Sequence, residues 1–281
     1  MTKDEKIEIL KAREYQVVKH NDLVLKTRYD FSVNEQKTLA YVCSMIKPVS
    51  SIDRAKENPF ILEYEFEIID YIRVLGLEKT GKIYNEIKLI LKGLRDKSIW
   101  ITLEDGSETT VGWLSKVWTN KKSGKAKIRF DEDLVPYLFD LREKYLSYGL
   151  KNILCMKSQY GIRLYEIIKA YYELKIAQTD MRSKVEKGVD PKSISWTIDL
   201  EELKKQLMAD TIKSYANYKD FRKYVLEISQ KEINEMTDIN VYFEPILKGR
   251  KTVKIKFTIT SKTTIEQYLV EKKNDRELGE I

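Results

Sequence analysis

The sequence predicts an α+β fold made of two winged helix-turn-helix domains in tandem, related as an internal duplication. Three observations lead there. The order helix, strand, short helix, long helix, β-hairpin runs twice along the 281 residues. The strand-to-helix junctions are alike in pattern: Glu65-Phe66-Glu67-Ile68-Ile69-Asp70 in the first round, Ser195-Trp196-Thr197-Ile198-Asp199-Leu200 in the second. Each round closes on a turn that carries glycine among lysines, the chemistry of a hairpin tip. A repeat this long is a duplicated domain, because solenoid periods are about 20–50 residues. The halves are placed at 1–150 and 151–281.

Taken in order, residues 3–14 are predicted as a short helix and 15–25 as an extended segment. Ser32 with Glu35 three positions on forms a capping box, and Leu39, Val42, Cys43 and Ile46 follow at helical spacing until Pro48. Residues 50–58 form a polar loop. Glu63 to Ile68 alternates strictly, as a half-buried strand does. A short helix runs to Gly76. Thr80 caps a longer one to about Lys97, with Ile83, Ile87, Ile90, Leu91 and Leu94 on one face. Residues 98–103, 109–119 and 126–130 are strands, with a brief helix near Leu134. The second round has a helix from Ser158, a polar loop over 177–191, a strand at 194–198 and a short helix over 199–208. A longer helix spans about 214–235, and strands at 239–245 and 253–259 close the round. The charged tail 271–281 is expected to fray.

Composition narrows the function. Hydrophobic residues at 42% allow a core, and no apolar run reaches membrane-span length, so a cytoplasmic protein is expected. Cys43 and Cys155, far apart and in apolar surroundings, are expected as buried free thiols. The single histidine, His20, lies in a polar stretch expected to be exposed. One histidine and two remote cysteines offer no metal-ligand spacing and no catalytic triad. The chain is therefore expected to need no cofactor and not to be an enzyme. Gly76 to Ile83 nearly matches a phosphate-binding loop, but Ile83 has no hydroxyl for Mg²⁺ and a helix precedes it where a strand is required. A turn between two helices accounts for its glycines.

A net charge of +7 favours a polyanionic partner, and its distribution says more than its size. Between Thr119 and Arg129 stand Lys121, Lys122, Lys125, Lys127 and Arg129 without an acidic residue. Between Lys248 and Lys256 stand Lys248, Arg250, Lys251, Lys254 and Lys256, again without one. In a winged helix the second helix of the pair reads the major groove and the hairpin reaches backbone, so both wings suit phosphate. The first long helix offers Lys79, Lys82, Asn85 and Lys88 as DNA-contacting residues, with Lys92 further on. The second offers Lys213, Ser214, Asn217, Lys219, Arg222 and Lys223, on the side away from a predicted core stripe of Tyr218, Phe221, Val225 and Ile228. Arg and Lys can address guanine, and Asn adenine.

Several segments, in this order, resemble the replication initiators of iteron plasmids, the tandem winged-helix Rep family. They are Asn21-Asp22-Leu23-Val24 leading into Phe31-Ser32-Val33-Asn34-Glu35-Gln36-Lys37-Thr38-Leu39, then Tyr84 to Lys97, then Ser158-Gln159-Tyr160-Gly161-Ile162-Arg163-Leu164-Tyr165-Glu166. The resemblance covers residues 15–262. It implies binding to direct repeats of double-stranded DNA at an origin as a monomer, help in opening an AT-rich region, and recruitment of host initiator and helicase. It also implies an operator-binding dimer, in equilibrium with the monomer, that represses its own gene. The first domain would contribute to the dimer interface and the second the main specific contact. The rival reading is a winged-helix transcriptional regulator without initiator activity. An enzyme acting on nucleic acid is the third, and the missing metal constellation disfavours it.

Overall fold

Two three-stranded antiparallel sheets with the same internal order organise the chain. In the computed structural model the described residues are 3–46, 62–103, 105–139, 145–178 and 193–279. The expected stop at Pro48, the polar loop 50–58 and nearly all of the segment 177–191 lie outside them.

The chain opens with α1 (Lys3–Arg13), β1 (Gln16–His20), α2 (Asn21–Leu25), β2 (Thr27–Arg28) and α3 (Val33–Ser44). Then come β3 (Glu63–Glu67), α4 (Ile68–Val74) and α5 (Ile83–Asp96). Two hairpins follow, β4 (Ser98–Thr102) with β5 (Glu108–Gly112), and β6 (Leu114–Asn120) with β7 (Lys125–Phe130). After α6 (Val135–Leu138), β8 (Tyr145–Gly149) returns to pair with β1, and α7 (Lys151–Leu154) leads into α8 (Gln159–Ala177). The second round is β9 (Ser193–Asp199), α9 (Leu200–Gln206), a 3₁₀ turn (Lys213–Ala216), α10 (Tyr218–Phe221), a π turn (Arg222–Leu226) and α11 (Glu227–Met236). The strands β10 (Ile239–Lys248) and β11 (Lys251–Ser261) and the helix α12 (Thr264–Glu277) complete it.

The duplication is visible in backbone detail. One sheet runs β3-β7-β6 and the other β9-β11-β10, so the strand before the helix pair lies at an edge and the last wing strand is central in both. Helices α4 and α9 end alike. In the first copy Leu77 N–H donates to Ile72 carbonyl (2.9 Å) and Gly76 sits at φ +64°; in the second Ala209 N–H donates to Lys204 carbonyl (2.8 Å) and Met208 sits at φ +54°. Both are left-handed helix stops with a 6→1 bond. Glycine meets that demand freely, methionine with strain. A Cβ on Gly76 would also meet the Leu278 carbonyl oxygen at 3.3 Å. Gly76→Ala should therefore destabilise the protein by about 1–2 kcal/mol, read as a lowered urea midpoint at unchanged slope.

The predicted capping box forms: Ser32 Oγ accepts from Glu35 N–H, and Glu35 returns a carboxylate oxygen to Ser32 N–H at 2.8 Å. Both cysteines are buried free thiols, and burial pushes Cys43 up to about 12 and Cys155 up to about 11. Several expectations are corrected. Residues 15–25 are not extended throughout, because α2 begins at Asn21. His20, expected to be exposed, caps that helix: its Nδ1 accepts from Asp22 N–H at 3.1 Å, and its half-buried ring lies 6.0 Å from that of Tyr137. The single strand expected over 109–119 is two, broken where Trp113 leaves the ladder to bury itself against Tyr29. The hairpin β4–β5 then pairs with β2 in a sheet of its own, an addition without a counterpart in the second round. Thr80 is not the cap of α5; Lys82 occupies that position and makes no side-chain cap bond. The tail is not frayed from 271. It continues as α12, opened by a second capping box, Thr263 with Glu266. Asn274 is buried there and donates to Met236 carbonyl at 2.9 Å.

Helix α8 binds the two rounds together. Arg163 and Glu166, three residues apart, share a face. Arg163 donates to the Val24 and Thr27 carbonyls at 2.7 Å each. Glu166 accepts from Lys19 at 2.6 Å and from the hydroxyls of Tyr148 and Tyr29, all from the first round. Lys169 and Tyr165 reach Asp238 of the second round, at 2.7 Å each. Near the helix start, Glu232 accepts from the backbone N–H groups of Lys157 and Ser158. Arg13 makes a further tie. It is buried, and it donates to the Val74 and Arg73 carbonyls at 3.0 and 2.7 Å and to Leu278 carbonyl at 3.3 Å. One guanidinium thus serves the C-terminal ends of α4 and α12.

Candidate nucleic-acid interface

A winged helix approaches DNA with the N-terminal part of its second helix and the tip of its hairpin. In the first round the second helix is α5. Its buried side is Ile87, Leu91 and Leu94. Lys79 and Lys82 stand exposed in the turn before it, and Asn85 and Lys88 are exposed on its first two turns. Lys92, further on, bonds Asp96.

The wing of this round is the β6–β7 hairpin, with Gly124 at φ +72° in its turn. Its lysines are less available than their spacing in sequence implies. The neighbouring strand β3 presents Glu63, Glu65 and Glu67 opposite Arg129, Lys127 and Lys125. Lys125 bonds Glu65 at 2.8 Å and lies 3.6 Å from Glu67, while Lys127 pairs with Glu63 and Arg129 with Glu132. The hydrogen bond and charge of Lys125 hold the Glu65 carboxyl below the usual range. Of the cations between Thr119 and Arg129, only the tip lysines, Lys121 and Lys122, form no ion pair with a described residue. Lys125 and Lys127, in a stretch free of acid in the sequence, thus meet their acid across the sheet. Lys127 and Lys116 also stand 5.1 and 4.9 Å from the ring of Trp118.

The second wing is longer and better placed. The pairing of β11 with β9 ends at Lys254–Asp199, whereas β10 and β11 continue as a two-stranded ribbon to Lys248–Lys251. Gly249 turns the tip at φ +63°. Lys248, Arg250 and Lys251 are exposed there and form no ion pair with a described residue; Lys254 and Lys256, further back, face Asp199 and Glu244.

The second reading helix departs from its sequence pattern. It begins at Tyr218, with Lys213 and Ser214 in the exposed 3₁₀ turn before it. Asn217 is its N-cap: the side-chain oxygen accepts from Lys219 N–H at 3.0 Å, so the carboxamide is engaged in starting the helix. Arg222 Nε donates to Glu227 at 2.9 Å across two exposed side chains. Lys219 is exposed, and Lys223 lies 5.0 Å from the Tyr224 ring. The core stripe is Phe221, Val225, Leu226, Ser229 and Ile233, and Ile228, expected inside, is exposed. The π turn explains this shift, since its wider turn moves every later side chain round the axis.

Two windows of this architecture match one family. The sequence profile described as Initiator Replication protein, WH1, matches residues 16–169, and that described as Initiator Rep protein, WH2, matches 199–259. The chain belongs to the initiator replication protein family. A curated member named replication initiation protein, from Escherichia coli, is 23% identical over 250 residues, covering 88% of this chain and 70% of its own. Among solved structures, a Pi initiator protein in complex with iteron DNA superposes with a TM-score of 0.64 at 18% identity. The match covers 89% of this chain and 98% of that one. At that identity the likeness confirms the tandem fold of this initiator and no finer property. The first family window runs past residue 150 into α8, in keeping with the bonds of that helix to both rounds. Among the described residues of the initiator, no group of three or more His, Cys, Asp or Glu could hold a metal ion, and no helix is long and apolar enough to cross a membrane.

Proposed function

We propose that this initiator starts plasmid replication by binding repeated double-stranded DNA sites at an origin. In this reading residues 151–281 supply the main sequence-specific contact, and 1–150 supply backbone contacts and a dimer interface. Bound as a monomer it helps open an AT-rich region and recruits the host initiator and helicase. As a dimer it represses its own gene. A plasmid partner in a bacterial cell puts it in the cytoplasm.

The observation that carries the reading is the second wing. Lys248, Arg250 and Lys251 extend past the third strand without counter-ions among the described residues, on the same domain as the helix that starts at Tyr218. Unpaired cations on an extended ribbon are what a phosphate backbone recognises. Lys121, Lys122, Lys79, Lys82, Asn85 and Lys88 give the first domain a weaker version of the same surface.

A footprint on DNA adjoining the gene, paired with an origin-dependent copying assay, tests the reading. Protection of evenly spaced repeats together with copying supports it. Protection of one operator without copying makes the protein a regulator, and no protection removes the DNA reading.

A further inference from the structure

Two of the polar groups expected to read bases have partners within the protein, while Lys219 and Lys223 form no ion pair with a described residue. Asn217 caps its own helix through the oxygen that would accept from adenine, and Arg222 is held by Glu227. The π turn places different chemistry on the exposed side. In an α-helix each residue advances about 100°, and a π turn spends one extra residue on the same turn, so all that follows is set back by about one residue. Leu226 and Ser229 rotate inward, and Ile228 rotates outward to 41% exposure. Tyr224, one turn before it, is 47% exposed. Residues four apart lie on one flank of a helix. The two therefore make a short apolar ridge next to Lys223, which lies 5.0 Å from the Tyr224 ring, with Asp220 four positions before Tyr224 and Glu227 the nearest carboxylates on the helix.

An uninterrupted α-helix would have kept Ile228 in the core stripe that the sequence predicts. A π turn within the reading helix of a DNA-binding fold belongs to a class of irregularity common at functional sites. Lys223 beside the ridge and the basic wing of the same domain suit DNA more than an apolar protein surface. The apolar feature that a major groove offers is the C5-methyl group of thymine. We propose that Tyr224 and Ile228 read thymine methyl groups in the bound repeat, so that part of the specificity of this initiator is apolar. The proposal rests on the DNA-binding reading above and assigns within it a pair of residues that the sequence pattern hides.

The test uses the full chain and a duplex enriched by it from a random 20-base-pair pool. Each thymine is replaced in turn by deoxyuracil, which removes the methyl group and leaves every hydrogen-bonding group in place. The wild-type chain should lose about fourfold in affinity at one or two positions, the worth of one buried carbon. Ile228→Ala and Tyr224→Ala should bind the thymine duplex more weakly and no longer distinguish uracil at those positions. Both side chains are exposed, so the variants should keep the wild-type melting midpoint. The ratio of the two affinities, unlike the affinity itself, is insensitive to a partly unfolded sample. Full discrimination retained by both variants overturns the proposal while leaving DNA binding intact, as does wild-type indifference to uracil at every thymine. A pool from which no sequence is enriched overturns the DNA-binding reading and this proposal with it.

Discussion

Glu166→Ala should destabilise the protein by about 3–5 kcal/mol, the usual loss when one partner of a buried ion pair is removed. Glu166 and Lys19 have side chains only 3% and 2% exposed. Their 2.6 Å contact joins α8 to β1, and the Tyr148 and Tyr29 hydroxyls donate to the same carboxylate. Without it an ammonium group and two phenols are left buried with no acceptor. The double variant Lys19→Met with Glu166→Leu should recover part of the loss, because it removes the stranded ammonium while the Tyr148 and Tyr29 hydroxyls stay without that acceptor. Urea denaturation of the three proteins reads both outcomes; a double variant as unstable as the single would show that packing, not charge, sets the cost. Burial alone would raise the Glu166 carboxyl, but Lys19, Tyr148 and Arg163 together hold it below its ordinary 4.5. A depressed carboxyl stabilises fully above its unfolded value and loses that contribution as pH falls through the folded one. The wild-type chain should thus weaken in acid below about pH 4.5 through this group, and the double variant should lack that component.

Replacing Lys248, Arg250 and Lys251 together by alanine should flatten the salt dependence of DNA binding by about 0.9 for each phosphate that is no longer neutralised. Three such phosphates correspond to roughly a 10²- to 10³-fold drop in affinity at 0.1 M salt, shared by all DNA sequences. Stability should stay within about 0.5 kcal/mol, since the three side chains are exposed and pair with no described carboxylate. The matching change in the first wing, Lys125→Ala with Lys127→Ala, should flatten the slope far less, because both ammonium groups already face glutamates of β3. Titration of each protein from 50 to 200 mM salt against one duplex compares them; equal slopes for the two variants would contradict this difference between the wings.

Local chemistry is readable along the chain, and cross-chain chemistry is not. Ser32 with Glu35, Ser158, the glycines of the hairpin tips and the order of elements report interactions within a few residues, and they appear as expected. The first wing's lysines have no acid among their sequence neighbours, and their counter-ions come from a strand some 60 positions away. Ile228 fits a helical stripe by spacing, and only the π turn, which no residue type announces, moves it out. The break at Trp113 has the same character. The residues around it favour strand, and the tryptophan leaves the ladder because a pocket beside Tyr29 awaits it. Asn217 is an ordinary cap residue, and its position one step before Tyr218 announces a cap more directly than a reader of bases.

The Arg13 tie also orders events during synthesis. Its acceptors lie 60, 61 and 265 positions further along the chain. Strand β1 waits likewise for β8. The ribosome thus delivers α1 long before α12 and cannot give it its complete set of partners until α12 has been made. Domains usually fold in the order of their translation. Here α1 can meet two of its anchors once α4 is made, and a ribosome stalled before residue 278 would hold a nascent chain whose α1 still lacks the third.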